Sequence, residues 1–169
     1  QEPRQRIHSR GYDEKKLREH SRKAGKKGLP LCLLVIDVDH FKKINDTKGH
    51  SIGDFVLSTV ARRLARYTRE GDICSRIGGD EFAVLLPDTT LEQGQAVAAK
   101  VLERLYGGAQ GTEDQTLQVL GVTLSIGVAE LVPGMSPEDL ALLGDQALYQ
   151  AKTNGRNQVA ALKWKGEPQ

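Results

Sequence analysis

Two pairs of carboxylates, Asp37 with Asp39 and Asp80 with Glu81, stand where the chain could use them for chemistry. Asp80-Glu81 follows Gly78-Gly79, between a β-prone stretch at 73–77 and an apolar run at 82–86. That pattern predicts a hairpin joined at Gly-Gly, because glycine accepts the positive φ of a tight turn. Adjacent acids repel each other and a hairpin does not need them. Side-chain alternation along a strand would send them to opposite faces and to different tasks. Alone, this is the acidic tip of a hairpin; the other pair shifts the balance. Residues 31–36 are continuously apolar, the mark of a strand covered on both faces, and Asp37 stands where that strand emerges. With the hairpin beside this strand, Asp37 and Asp80 converge on one Mg²⁺, a hard cation that keeps waters and takes substrate phosphates. Glycine at 78 and 79 also lets a nucleotide approach the backbone closely.

The elements that must hold these groups follow from periodicity and punctuation. Residues 13–26 read as a charged helix with few apolar contacts (Tyr12, Leu17, Ala24), and 39–48 as a short helix ending at Gly49. Ser51 is placed to cap the next helix, with Asp54 as its capping-box partner. Ile52, Phe55, Val56, Val60, Leu64 and Tyr67 then follow the helical period. Pro87-Asp88-Thr89-Thr90 ends the second hairpin strand and caps a helix over 91–106. Residues 107–114 read as a glycine-rich loop, 116–120 as a strand paired with one over 122–130, and Ser136-Pro137-Glu138-Asp139 as a helix start. That helix runs to Lys152, and 158–162 form an edge strand. Helices between strands around an antiparallel hairpin predict an α+β sandwich. The chain divides into a leader with a charged helix (1–30), a catalytic unit (31–162) and a loose tail (163–169).

At 169 residues the chain has the size of one ordinary domain. Its net charge of +2 is uneven: residues 1–30 carry ten Lys/Arg and four Asp/Glu (+6), the remainder fourteen and eighteen (−4). With only Tyr12 among the basic residues, the leader reads as a solvated helix, not a nucleic-acid or membrane surface. Cys32 and Cys74 lie in apolar strand sequence without metal-like spacing. They read as buried small hydrophobes in a reducing, cytoplasmic setting. No apolar run reaches the roughly 20 residues of a membrane helix. The single methionine is Met135, so the chain reads as a fragment of a longer protein.

Gly78-Gly79-Asp80-Glu81-Phe82 resembles the signature of the GGDEF family, the diguanylate cyclases. Asp37 to Asp46, Gly49 to Asp54, Ser125 to Ala129, Ala147 to Lys152 and Gly155-Arg156-Asn157 resemble the family's other blocks in order and spacing, over residues 7–159. The resemblance implies a ferredoxin-like palm, similar to nucleotide cyclases and polymerase palms, that joins two GTP into cyclic di-GMP and releases two pyrophosphates. It implies Mg²⁺, or Mn²⁺, bound by Asp37, the Val38 carbonyl and Asp80, with Glu81 as a second ligand or base and Asp80 also a candidate proton acceptor. His40-Phe41-Lys42 would meet phosphate at a helix N-terminus, and Lys42 would stabilise charge on the transferred group. Asn45, His50 and Asp54 match substrate positions, with Asn45 and Asp54 reading guanine; Lys152 and Arg156 match triphosphate contacts.

Arg69 and Asp72 match the family's inhibitory Arg-x-x-Asp site, where Arg suits the guanine O6/N7 edge. Five strand residues, about 17 Å, separate it from the Gly-Gly turn, so product bound there would act by locking domains in a non-productive arrangement. A supporting arginine of that site is here Ala96, which implies weaker inhibition. The leader keeps only Pro3, Ile7 and Arg10 of a motif that joins such domains to their regulators. One domain holds one GTP, so catalysis implies a homodimer, brought together by an upstream regulatory domain missing from this chain. The alternative is a catalytically silent module that binds GTP or cyclic di-GMP; such modules usually lose the hairpin acids, and this chain keeps both.

Overall fold

The structure, a computed structural model, describes residues 11–107 and 112–166. The leader motif traces at Pro3, Ile7 and Arg10 lie outside the described residues. In chain order the elements are α1 (Glu14–Lys27), β1 (Leu31–Val38), α2 (Phe41–Lys48), α3 (His50–Arg66), β2 (Ile73–Arg76), β3 (Glu81–Pro87), α4 (Leu91–Glu103), α5 (Thr112–Leu120), β4 (Leu124–Leu131), α6 (Pro137–Thr153) and β5 (Gln158–Ala161). The five strands form one sheet in the order β2-β3-β1-β4-β5. All neighbours are antiparallel except β4 and β5. The α+β palm expected from the sequence is the fold observed.

β1 occupies the centre because its side chains are apolar on both faces, and all eight of its residues are buried. Alternation sorts them. Cys32, Leu34, Ile36 and Val38 join Val56, Val60 and Leu64 of α3 and Ala98 and Val101 of α4 in one core. Leu31, Leu33 and Val35 join Leu140, Leu143 and Leu148 of α6 and Leu17 of α1 in the other. Each fully buried Leu or Val contributes about 1.5–3 kcal/mol. Parity places Asp37 in the second set, on the side covered by α6. The helix lies unusually close there. A Cβ added at Gly127 of β4 would sit 2.2 Å from the Leu148 nitrogen, and one at Gly144 of α6 would sit 2.8 Å from Val35 Cγ2.

Local signals set several boundaries. Ser136 caps α6 in a capping box with Asp139, and Pro137 opens the helix; Thr90 and Gln93 do the same for α4. Ser51 does not cap α3. The helix starts two residues earlier than such a cap would set, at His50, with Gly49 (φ 93°) as the shared cap of α2 and α3, so Asp54 has no capping-box role. Residues 116–120 are not a strand but the end of α5. Leu117 is fully buried, and Gly121 (φ 67°) turns the chain so that the Val122 N–H donates to the Leu117 carbonyl. β-prone residue types yield here to a helix that buries Leu117 against the core. The glycine-rich loop expected at 107–114 is helical from Thr112, and its residues 108–111 lie outside the described set.

Cys32 is buried, and burial pushes its thiol up to about 12. Cys74 is exposed instead, because β2 is the sheet's edge strand and is covered on one face only. After β5, Trp164 is half-buried against the α6-side core. Among the described residues no helix is long and apolar enough to cross a membrane.

Candidate active site

Asp37 lies at the end of β1, and its register partner across β3 is Glu81. The β2–β3 loop (77–80) is closed by Ile77 N–H donating to the Glu81 carbonyl at 2.9 Å, and Val38 N–H donates to the Asp80 carbonyl at 3.0 Å. These bonds carry the hairpin tip onto the end of the central strand. One carboxylate oxygen from each of Asp37, Asp80 and Glu81 then lies within 4.8 Å of the others. The expectation that Asp80 and Glu81 face opposite ways is therefore wrong: Asp80 belongs to the loop, and β3 begins only at Glu81, so strand alternation does not govern the pair.

The glycines do not serve the positive-φ turn expected of them. Neither Gly78 nor Gly79 has a positive φ. A Cβ at Gly79 would meet no heavy atom within 4 Å, and one at Gly78 would come 3.6 Å from the Glu81 side chain. The pair keeps the tip open and does not supply a left-handed turn. Its carbonyls are held from β2, where Arg76 Nε donates to the Gly78 oxygen at 3.1 Å and Arg76 Nη2 to the Gly79 oxygen.

Asp37 is 6% exposed. Its Oδ2 is ion-paired to Lys152 Nζ from the last turn of α6, while Oδ1 is buried without a hydrogen-bond partner. Burial pushes its carboxyl from the ordinary 3.8 up to about 6. Lys152 pulls it down and the negative charge of Asp80 adds to the rise. A partnerless buried oxygen costs about 1–3 kcal/mol unless something else satisfies it. Hard oxygen donors in a half-open cluster fit Mg²⁺ or Mn²⁺, so these residues pass the test of the cation the sequence implied.

A second acid organises the neighbouring turn. Asp39, 4% exposed, accepts from Ser125 Oγ at 2.6 Å, Thr123 Oγ1 at 2.7 Å and the Asn157 N–H at 3.0 Å. Its own N–H donates to the Thr123 carbonyl. This lashing holds the next residue, His40, at φ 56°, a left-handed conformation costing a non-glycine residue about 1–2 kcal/mol. The chain thereby enters α2 with no side-chain cap over its first-turn N–H groups. Asp39 and Arg76 are the two supporting residues that sequence reasoning left without a role. The acid two residues after Asp37, and the arginine two before the glycines, were the available signals.

The remaining expected residues fall at varied distances from this centre. Phe41 is buried in the core, so only its backbone N–H is free to face a ligand at the start of α2. Lys42 points outward, 92% exposed and 3.7 Å from Asp46. Asn45 packs into the α2–α3 junction, where a Cβ on Gly53 would strike its Oδ1. His50 and Asp54 are exposed in the first turns of α3. Asp54 borders a cavity of about 320 Å³ walled by Leu57, Ala61, Arg76 and Phe82. Arg156 is exposed just beyond α6, at φ 64°.

Arg69 and Asp72 meet at the open end of the hairpin. Arg69 N–H donates to Asp72 Oδ2 at 2.7 Å, and its Nη2 reaches the Pro87 carbonyl at 2.7 Å and Thr89 Oγ1 at 2.9 Å.

Known proteins resemble this chain in sequence and fold. The family model described as "Diguanylate cyclase, GGDEF domain" matches residues 5–158. The response regulator PleD of Caulobacter vibrioides is 42% identical over 154 residues, 90% of this chain and 34% of its own length. The chain thus spans about a third of that relative. Among solved structures, the GGDEF domain of DgcB from Caulobacter crescentus, determined in complex with c-di-GMP, superposes with a TM-score of 0.78 at 34% identity, covering 88% of this chain and 86% of that one. The active GGEEF domain of a diguanylate cyclase from Vibrio cholerae gives 0.76 at 31% identity, covering 90% and 94%. A sequence match across nearly the whole chain, a shared palm and carboxylates gathered at the Gly-Gly tip lead to one conclusion: this chain belongs to the GGDEF domain family of diguanylate cyclases.

Proposed function

We propose that this domain condenses two molecules of GTP into cyclic di-GMP, releasing two pyrophosphates, as one half of a homodimer. The observation that carries the reading is the convergence of Asp37, Asp80 and Glu81 within 4.8 Å around a buried, partnerless Asp37 oxygen. Asp37, the Val38 carbonyl, Asp80 and Glu81 would hold Mg²⁺ or Mn²⁺, which when bound acidifies a ribose 3′-hydroxyl and neutralises phosphate charge. Glu81 or Asp80 accepts the hydroxyl proton. The uncapped first turn of α2, at Phe41 and Lys42, is suited to phosphate oxygens. Lys42, Lys152 and Arg156 supply positive charge to the triphosphate, and Gly78 and Gly79 leave room for it.

Asn45 and Asp54 read guanine, with His50 beside them and the cavity next to Asp54 open to the base. A carboxylate accepts from guanine N1–H and the exocyclic amine, a pairing adenine does not offer. One bound GTP cannot complete the product alone, so a second domain must present its nucleotide across a two-fold axis. An upstream regulator would supply the proximity, with the cytoplasm, where GTP is made available, as the site of action. Product binding at Arg69 and Asp72 would restrain the pairing.

The test is cyclic di-GMP formation from GTP and Mg²⁺ by the chain fused to a constitutive dimerisation segment, followed by chromatography. Product from GTP and none from ATP is the expected result. GTP binding without turnover in the fused dimer would leave a silent nucleotide-binding module in its place.

A further inference from the structure

We propose that Lys152 acts as a resident cation for the carboxylate cluster, held on Asp37 until divalent metal and triphosphate arrive together. The proposal rests on the reading of Asp37, Asp80 and Glu81 as the metal site. It concerns what Lys152 does before substrate binds, a role separate from contacting phosphate.

The geometry carries it. Asp37 faces α6 by strand parity, and the close packing at Gly127 and Gly144 brings the last turn of that helix to the strand end. Lys152 Nζ is paired with Asp37 Oδ2, with its side chain only 20% exposed. Lys42, by contrast, lies 92% exposed beside Asp46. The Lys152 backbone is fixed: Ala151 is fully buried, its carbonyl accepts from the Arg156 N–H, and the Lys152 carbonyl accepts from the Gly155 N–H. The four-carbon stem is the part able to move.

Three carboxylates gathered within 4.8 Å favour any nearby positive charge. A lysine supplies one such charge from within the chain, and it opposes a divalent ion at the same acids. Asp37 Oδ1, buried and without a hydrogen-bond partner, remains on the side the lysine does not use. When a triphosphate enters, it offers the ammonium new anionic partners, and the lysine can leave Asp37 without losing its compensation. Metal and nucleotide then bind with positive coupling, and the coupling must be equal in both directions. The expected consequence is weak metal binding in the absence of nucleotide.

The experiment is Mn²⁺ binding to the full chain without nucleotide, read by the electron paramagnetic resonance of free Mn²⁺. Lys152→Gln is expected to bind Mn²⁺ about tenfold more tightly than the unaltered chain, and Lys152→Arg to bind it as the unaltered chain does. Unchanged or weaker Mn²⁺ binding in Lys152→Gln would overturn the proposal. A measurement on the unaltered chain avoids any dependence on the variant's folding. Acetylation of Lys152 by acetic anhydride, followed by peptide mass spectrometry, is expected to stay low at modest Mg²⁺ and to rise several-fold only at Mg²⁺ concentrations high enough to displace the lysine from Asp37 by competition. Labelling that stays unchanged even at saturating Mg²⁺ overturns it equally. If Asp80→Asn leaves Mn²⁺ binding intact, the metal-site reading itself fails, an outcome distinguishable from failure of the lysine's role.

Discussion

At its turn the β2–β3 hairpin carries Asp80 and Glu81, drawn onto Asp37 by backbone hydrogen bonds; at its open end it is bordered by Arg69 and Asp72. The turn end gathers like charges, leaves Asp37 Oδ1 buried without a partner and keeps space beside Gly79. The open end is already neutralised: Asp72, its side chain 3% exposed, pairs with an Arg69 that also bonds Pro87 and Thr89. One end of the ribbon stores electrostatic tension that a cation can relieve. The other is internally satisfied, so a ligand there must compete with bonds the chain makes to itself. That difference is the physical basis for the proposal that one end is catalytic and the other regulatory.

The comparison breaks most directly at Asp80. Asp80→Asn removes one charge from the carboxylate cluster and is expected to lower the initial rate of cyclic di-GMP formation about a thousandfold, with the circular dichroism spectrum unchanged. A rate within threefold of the unaltered protein would erase the contrast between the two ends. Arg76→Ala releases the carbonyls of Gly78 and Gly79 and is expected to raise the Mn²⁺ concentration for half-maximal rate about 10- to 100-fold, with the rate at saturating metal largely retained. An equal loss at saturating Mn²⁺ would assign Arg76 a role beyond holding the turn.

Acidity sharpens the same contrast by a smaller step. Asp37 must ionise to bind metal, and its carboxyl sits at about 6, so Mn²⁺ affinity should fall about tenfold per pH unit below 6. The sign for stability is the reverse. The folded value lies above the unfolded one, so the metal-free fold gains stability as pH falls from about 6 towards 4 and loses it as pH rises through that window. Guanidinium melts with and without Mg²⁺ across this range would show the two trends diverging. At the open end, Asp72→Ala should leave the initial rate unchanged and abolish inhibition by added cyclic di-GMP. Inhibition that persists would remove the regulatory assignment of Arg69 and Asp72.

How much of this was legible depended on how local each cause is. The start of α6 could be read because Ser136, Pro137 and Asp139 act within one turn of chain. β1 could be read because its apolar run exceeds what a one-sided strand needs. The strand proposed at 116–120 failed because Thr, Leu and Val suit either backbone, and the burial of Leu117 decided for helix. The facing of Asp80 and Glu81 was misread because it turns on where β3 begins, a boundary one residue wide. The Lys152–Asp37 pair, the Asp39 lashings and the grip of Arg76 arise only when the sheet order is known. Sequence placed the acids; the close fit of α6 on the strands placed the lysine.

Asp39 joins three stretches far apart in the chain: the end of β1, the start of β4 and the turn at Asn157 that leads into β5. A shortened version ending inside α6 would therefore forfeit more than an edge strand. It would strip an amide donor from the carboxylate that keeps His40 in its left-handed bend, loosening the turn that leads into α2. Anyone trimming this domain for grafting onto a new sensor would need to carry the last strand with it.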